Sequence, residues 1–260
     1  MQKLDWSSIM NFRYFIGSSI DSAVHWLLSR SYFPLTRYVP RGRYWLYDIQ
    51  RFSETKDISV IFDVGANIGQ TLSSILRYFP ESNIFSFEPI SSSFNALCLK
   101  FGHVENVRLE KLALGSKSGT SIVELHQNSE LNTLVSDQPR KDDFLGETET
   151  VSIESLDAFC RSVEISWIDI LKMDVQGWEL EVLRGAKSLI ESKKIRYIYA
   201  EVGFRRCDSD MQHFSDLNDF LEEKGYWLCG FYEPFRWGRN KQFVGFANAL
   251  YVHPDFVAVH

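Results

Sequence analysis

From residue 58 onward, short β-branched and aromatic runs alternate with apolar stripes of helical period. Val60-Ile61-Phe62-Asp63-Val64 is nearly continuous apolar, as expected of a strand covered on both faces. Leu72, Ile75, Leu76 and Phe79 stand at i, i+3, i+4 and i+7, one face of a helix that Pro80 closes. Ile84 to Phe87 reads as a second strand, and Phe94, Leu97, Cys98 and Phe101 stripe a second helix. Val107 to Leu114 is a third strand candidate, followed by a less regular polar region to about residue 150 with an exposed loop near Asp137 to Glu149. The alternation resumes with a short helix near Ser155 to Arg161, a strand from Trp167 to Met173, and a helix striped by Val182, Leu183, Ala186, Leu189 and Ile190. Then come a strand over Arg196 to Val202, a helix around Phe214 to Lys224, and two strand-like runs, Tyr226 to Tyr232 and Phe246 to Val252. Strands alternating with helices predict an α/β domain with right-handed crossovers and a mainly parallel sheet, the last two strands forming a hairpin on one edge.

Residues 1–55 differ from the rest. They are rich in aromatic and basic side chains, among them Trp6, Phe12, Tyr14, Trp26, Arg37, Arg41 and Arg43, and their first half has helical character. Pro34, Pro40 and Arg41-Gly42-Arg43 break that helix, so the chain divides into an N-terminal helical extension (1–55) and a main domain (56–260). Such an extension packs on the main domain or makes a homodimer contact. Its most apolar stretch, Tyr14 to Leu28, is interrupted by Asp21 and His25 and lacks the roughly 20 apolar residues of a membrane span.

Composition narrows the partners. The net charge of −6 argues against nucleic acid, since binding phosphate backbones calls for a concentrated basic face. Cys98, Cys160, Cys207 and Cys229 form no CxxC pair, which points to free thiols in a reducing cytoplasm.

In such sheets ligands bind at the carboxyl ends of the strands. The first strand ends Asp63-Val64-Gly65-Ala66-Asn67-Ile68-Gly69 and leads straight into a helix. Gly65 and Gly69 permit a sharp turn and close approach of a ligand to the backbone, while the helix start offers free N–H groups. Asn67 stands where a dinucleotide fingerprint needs its second glycine. Glu88, at the end of the second strand, is placed to accept both hydroxyls of a ribose, so the pair of features predicts a nucleoside site. The fourth strand ends in Asp174 and the fifth in Glu201, both expected to face the same crevice as Asp63 and Glu88.

Taken in order, Asp63-Val64-Gly65-Ala66-Asn67-Ile68-Gly69, Phe87-Glu88-Pro89, Lys111-Leu112-Ala113-Leu114-Gly115, Lys172-Met173-Asp174-Val175-Gln176-Gly177-Trp178-Glu179 and Leu183-Arg184-Gly185-Ala186 resemble the FkbM family of S-adenosylmethionine-dependent methyltransferases. The resemblance covers residues from about 58 to 252. It implies a class I methyltransferase (Rossmann-like) fold, a three-layer sandwich with a seven-stranded, mostly parallel sheet in the order 3-2-1-4-5-7-6. It also implies S-adenosylmethionine as cofactor, with Asp63, Gly65, Asn67 and Gly69 around its methionine part, Glu88 on the ribose, and Leu112 and Ala113 near the adenine. By analogy, the acceptor is a hydroxyl of a sugar, glycan or related metabolite.

A sugar hydroxyl scarcely ionises at neutral pH, so a positioned base is expected. Asp174 is the first candidate and Glu201 the second, with Glu179 bracing one of them or binding substrate. Against these stand a helix-capping role for Asp174 near Gly177 and a salt bridge from Glu201 to Arg205 or Arg206. No third ligand accompanies Asp174 and Glu201, so no metal is expected. Two segments are candidates for recognising the acceptor: the loop Tyr232 to Lys241, which mixes aromatic faces with cations, and His126 to Leu134, with Asn132 and Thr133. Two rival functions share parts of this pattern: an NAD-dependent oxidoreductase, and a binding protein that kept the fold without turnover.

Overall fold

The computed structural model describes residues 39–53, 58–126, 133–134, 144–208 and 211–256. In chain order the elements are α1 (Trp45–Phe52), β1 (Val60–Val64), α2 (Gln70–Tyr78), β2 (Asn83–Phe87), α3 (Ser91–Phe101) and β3 (Val107–Glu110). Next come β4 (Ala113–Leu114), β5 (Gly119–His126), β6 (Thr133–Leu134), β7 (Phe144–Glu154), α4 (Leu156–Ser162) and β8 (Ile168–Met173). The chain finishes with α5 (Glu179–Arg184), α6 (Lys187–Glu191), β9 (Ile195–Gly203), α7 (Phe214–Glu223), β10 (Trp227–Trp237) and β11 (Phe243–Val252).

Seven strands make the central sheet in the order β10-β11-β9-β8-β1-β2-β3. Neighbouring strands run parallel except at β11, which is antiparallel to both β9 and β10. This is the class I methyltransferase order, and the expected edge hairpin is β10–β11.

The sheet is apolar on both faces. On one, Ile61, Ile170, Tyr197, Tyr199, Tyr232 and Leu250 pack against Trp45, Leu46 and Ile49 of α1, Leu72 and Ile75 of α2, and Leu97 and Phe101 of α3. On the other, Phe62, Phe87, Leu171, Ile198 and Ala249 meet Leu156 and Phe159 of α4, Val182 and Leu183 of α5, Leu189 of α6, and Leu217 and Leu221 of α7. Helix α1 belongs to the segment read as an extension, and it packs on the main domain, one of the two arrangements expected: Trp45 stacks on Tyr199 of β9 with ring centroids 4.1 Å apart. Its Asp48 accepts from the Tyr232 hydroxyl at 3.0 Å. The helical reading of residues 1–38 lies outside the described residues.

Several elements differ from the sequence expectation. The stretch Val107 to Leu114 is two strands: β3 ends at Glu110, and β4 turns away to pair with β7. The polar region after it holds a second, four-stranded sheet, β4-β7-β5-β6. Residues 144–149, expected in an exposed loop, lie in β7, while 137–143 lie outside the described residues. The polar run Gly146-Glu147-Thr148-Glu149-Thr150 masks a strand because only one side of this sheet is packed, on Val123 and Val151. The stripe from Val182 to Ile190 is two helices, interrupted at Gly185, where a Cβ would meet the Gly115 carbonyl oxygen at 2.0 Å. Asp157 caps the second of them, accepting from Ser188 N–H at 2.7 Å and Leu189 N–H at 3.1 Å. Finally, Tyr232 to Trp237 is not loop but the end of a longer β10.

Candidate active site

The turn after β1 is fixed to the end of β2. Gly65 and Ala66 N–H both donate to the Phe87 carbonyl at 3.0 Å, and Asn67 N–H donates to Glu88 Oε2 at 2.9 Å. Gly65, Asn67 and Gly69 all have positive φ, at 75°, 47° and 84°. The glycines serve the chain itself: a Cβ on Gly65 would lie 1.9 Å from the Asp174 carbonyl oxygen, and one on Gly69 would lie 2.2 Å from the Phe101 ring. The sharp turn expected of these glycines is present, and the tight packing of the chain around them adds a second reason for their lack of a side chain. Asn67, in a left-handed conformation without being glycine, carries local strain of the kind that gathers at functional sites.

Glu88 is buried at the end of β2. Its Oε1 accepts from Ile90 N–H at 2.9 Å, opposite the Asn67 bond on Oε2. Burial pushes the carboxyl up to about 7, with those two N–H donors pulling the other way. Both oxygens are thus held in place, and each keeps a lone pair for a further donor. Ala113 is buried at the start of β4 beside Ile90, with Leu112 half-buried before it.

Lys172 organises the next part, and the sequence reading gave it no role. It stands next to the last residue of β8, opposite Asp63 in register, and is almost wholly buried. Its ammonium lies 2.9 Å from Asp63 Oδ1, donates to the Gly65 carbonyl at 3.0 Å, and stands 4.0 Å from Asp174 Oδ2. Burial alone would lower its pKa, but Asp63, Asp174 and Glu201 reverse this and hold it above the usual lysine value. The signal was present in the sequence: a lysine inside the mostly apolar strand Ile168–Met173 is almost never buried unless paired.

The four acids expected on one crevice are therefore not equivalent. Asp63 is completely buried and faces Lys172 behind the turn, not the crevice. Asp174 follows β8 with 43% of its side chain exposed. Glu201 stands on β9, on the same sheet face, and Gln176 links the two acids: its amide donates to Asp174 Oδ1 at 3.3 Å and to Glu201 Oε2 at 3.2 Å. Gln176 has φ 52°, the second left-handed non-glycine residue at a strand end, and it too went unassigned in the sequence.

The alternatives weighed for these acids do not hold. Arg205 pairs with Asp208 and Arg206 with Asp216, so neither neutralises Glu201. Burial, with Asp174 and Glu179 nearby, pushes the Glu201 carboxyl up to about 8. Asp174 does not cap the following helix, because α5 begins only at Glu179 and no N-cap side chain bonds to it. Glu179 is completely buried, accepts from Val175 N–H at 3.1 Å, and is pushed by burial to about 7. It braces the Asp174–Gly177 turn from beneath. Among the described residues, no group of three His, Cys, Asp or Glu side chains is placed to hold a metal ion. The side chain of His126 and the residues 127–132, Asn132 included, lie outside the described residues.

The chain is 28% identical over 158 residues to the 2-O-methyltransferase NoeI of Sinorhizobium fredii, a match covering 55% of this chain and 62% of that protein. It is 25% identical over 201 residues to Methyltransferase 1 of Beauveria bassiana, covering 69% of this chain and 76% of that one. It is 27% identical over 150 residues to the hexuronic acid methyltransferase AglP of Haloferax volcanii, covering 57% of this chain and 58% of that one. The matches to NoeI and AglP thus span less than two thirds of those proteins. The methyltransferase FkbM domain matches residues 63–228, from the Asp63–Lys172 ion pair through the Glu201 rim, and the chain belongs to that family.

Proposed function

We propose that the protein is an S-adenosylmethionine-dependent O-methyltransferase acting on a hydroxyl of a sugar, glycan or related metabolite. Its relatives NoeI and AglP, named for 2-O-methylation and for hexuronic acid methylation, support a sugar acceptor. The observation that carries the reading is the pairing of Asp174 and Glu201 through Gln176, beside a glycine turn whose neighbour Glu88 presents two fixed acceptor oxygens.

The residues present suit the cofactor. Glu88 would take the ribose hydroxyls, Ala113 and Leu112 would flank the adenine, and the turn from Gly65 to Gly69 would hold the methionine part. Asp63 would act from behind, by fixing Lys172 under the Gly65 carbonyl. When bound, S-adenosylmethionine supplies a methyl group already activated on a cationic sulfur. The acids around the turn suit a positive charge, since among the described residues Lys172 is their one buried ammonium. Glu201 removes the acceptor's hydroxyl proton, because a base works best with a pKa near the working pH. Asp174, the more exposed of the two, orients the acceptor. Gln176 holds both acids in place, and alignment of this kind contributes about 7–11 kcal/mol in favourable cases.

Titration calorimetry with S-adenosylhomocysteine and with NAD tests the reading. The first binds and the second does not; Glu88→Ala lowers affinity for the first by about 10–100-fold, the loss of charge-assisted bonds worth about 1.5–3 kcal/mol. Binding of NAD alone, or affinity unchanged by Glu88→Ala, refutes it.

A further inference from the structure

The β10–β11 hairpin carries features that methyl transfer does not explain. Phe235, Trp237 and Phe243 are 51%, 40% and 50% exposed. Their rings are paired: Phe235 lies flat on Phe246 at 4.8 Å and 10°, and Trp237 meets Phe243 at 5.2 Å. Gly245 leaves room for them, since a Cβ there would lie 3.2 Å from the Trp237 ring and 3.4 Å from the Phe235 ring. Arg205 lies 5.0 Å from the centroid of the Trp237 ring.

Charge is equally one-sided. In a chain of net charge −6, the stretch from Pro234 to Pro254 contains no Asp or Glu, while Arg236, Arg239 and Lys241 are interspersed with the aromatic residues along it. Among the described residues, none of these three cations has an acidic partner.

The register joins this surface to the site. Glu201 pairs with Asn248 and Gly203 with Phe246 on β11, and Phe246 and Phe243 pair with Phe235 and Trp237 on β10. At about 3.3–3.4 Å per residue, the first aromatic pair stands roughly 7 Å outward from Glu201 and the second about 10 Å further. Because β10 runs parallel to β8 and β9, its carboxyl end projects at the same rim as Asp174 and Glu201.

We propose that this hairpin is a docking platform for an anionic oligosaccharide, holding the rings that lie outward of the sugar being methylated. Flat aromatic faces stack on sugar rings, and the unpaired cations meet a carboxylate or sulfate. A lipid surface fits less well: the extreme tip, Gly238-Arg239-Asn240-Lys241-Gln242, is polar, whereas insertion places apolar residues foremost. The inference rests on the proposed sugar methyltransferase reading and adds the acceptor's charge and its extension beyond one ring.

The test applies the full chain, with and without S-adenosylhomocysteine, to an array of acidic and neutral oligosaccharides and to phosphatidylglycerol vesicles. At least one acidic oligosaccharide binds the unaltered protein. Trp237→Ala with Phe243→Ala weakens that binding tenfold or more. Arg236→Gln with Arg239→Gln and Lys241→Gln removes the preference for acidic over neutral sugars. Both variants keep their S-adenosylhomocysteine affinity, which shows that they are folded. Absence of oligosaccharide binding, binding equal in all three proteins, or retention on vesicles instead overturns the platform. Failure to bind S-adenosylhomocysteine overturns the methyltransferase reading, and the array run without that ligand still decides the platform.

Discussion

The two ends of the central sheet treat buried acids in opposite ways. At the amino end, Asp169 is buried in β8 and fully engaged, accepting from Ser59 N–H at 2.8 Å, Val60 N–H at 3.0 Å and the Trp167 ring N–H at 2.7 Å. Nearby, the buried Tyr226 hydroxyl donates to the Ile195 carbonyl at 2.6 Å. At the carboxyl end, Glu88, Glu179 and Glu201 are pushed to about 7, 7 and 8, mainly by burial, around what is, among the described residues, a single buried ammonium, that of Lys172. A buried acid alone therefore marks no site. Acids that burial has brought close to neutrality, next to left-handed turns, do so far better.

This contrast can be broken experimentally. The largest effect is expected from Lys172→Met, which leaves Asp63 buried without its partner and costs about 3–5 kcal/mol in chemical denaturation. Adding Asp63→Leu recovers much of that stability but not cofactor affinity, because the Gly65 carbonyl still lacks its ammonium donor. Full recovery of both would reduce Lys172 to a packing role. Next is Glu201→Gln, which slows methyl transfer by about 10²–10⁴ while leaving the melting temperature level or higher. In the unaltered enzyme, Glu201 must lose its proton to act, so the rate climbs with pH to a midpoint near 8, and the variant loses that limb. A pH–rate profile identical in both would remove Glu201 as base. The smallest effect is that of Asp169→Ala. It costs about 1–3 kcal/mol by leaving three donors unpaired, with cofactor affinity and turnover unchanged; a drop in either would dissolve the distinction between the two ends.

Much of the main sheet was legible from periodicity, since strands such as Val60–Val64 are buried on both faces and helices such as Gln70–Tyr78 are striped. The second sheet was not, because β7 is half solvated and its alternation is too polar to stand out. Within the candidate site, the strand-end acids could be placed from spacing, but their environments could not. Whether Asp63 faces a crevice or a lysine depends on which residue of β8 stands opposite, a matter of register that separation along the chain does not reveal. The roles of Lys172 and Gln176 were hidden for the same reason, although a lone cation in a mostly apolar strand and a polar-glycine pair at a strand end were both visible.

The stretch shared with the family, 63–228, is not a unit that could be excised. Strand β11, wedged between β9 and β10, falls after its end, and the wall formed by Trp45, Leu46 and Ile49 falls before its start. A gene fragment cut to those borders would lose both strands beyond β9, since only the first two residues of β10 precede the cut, and would bare the hydrogen-bonding edge of β9 together with an oily flank.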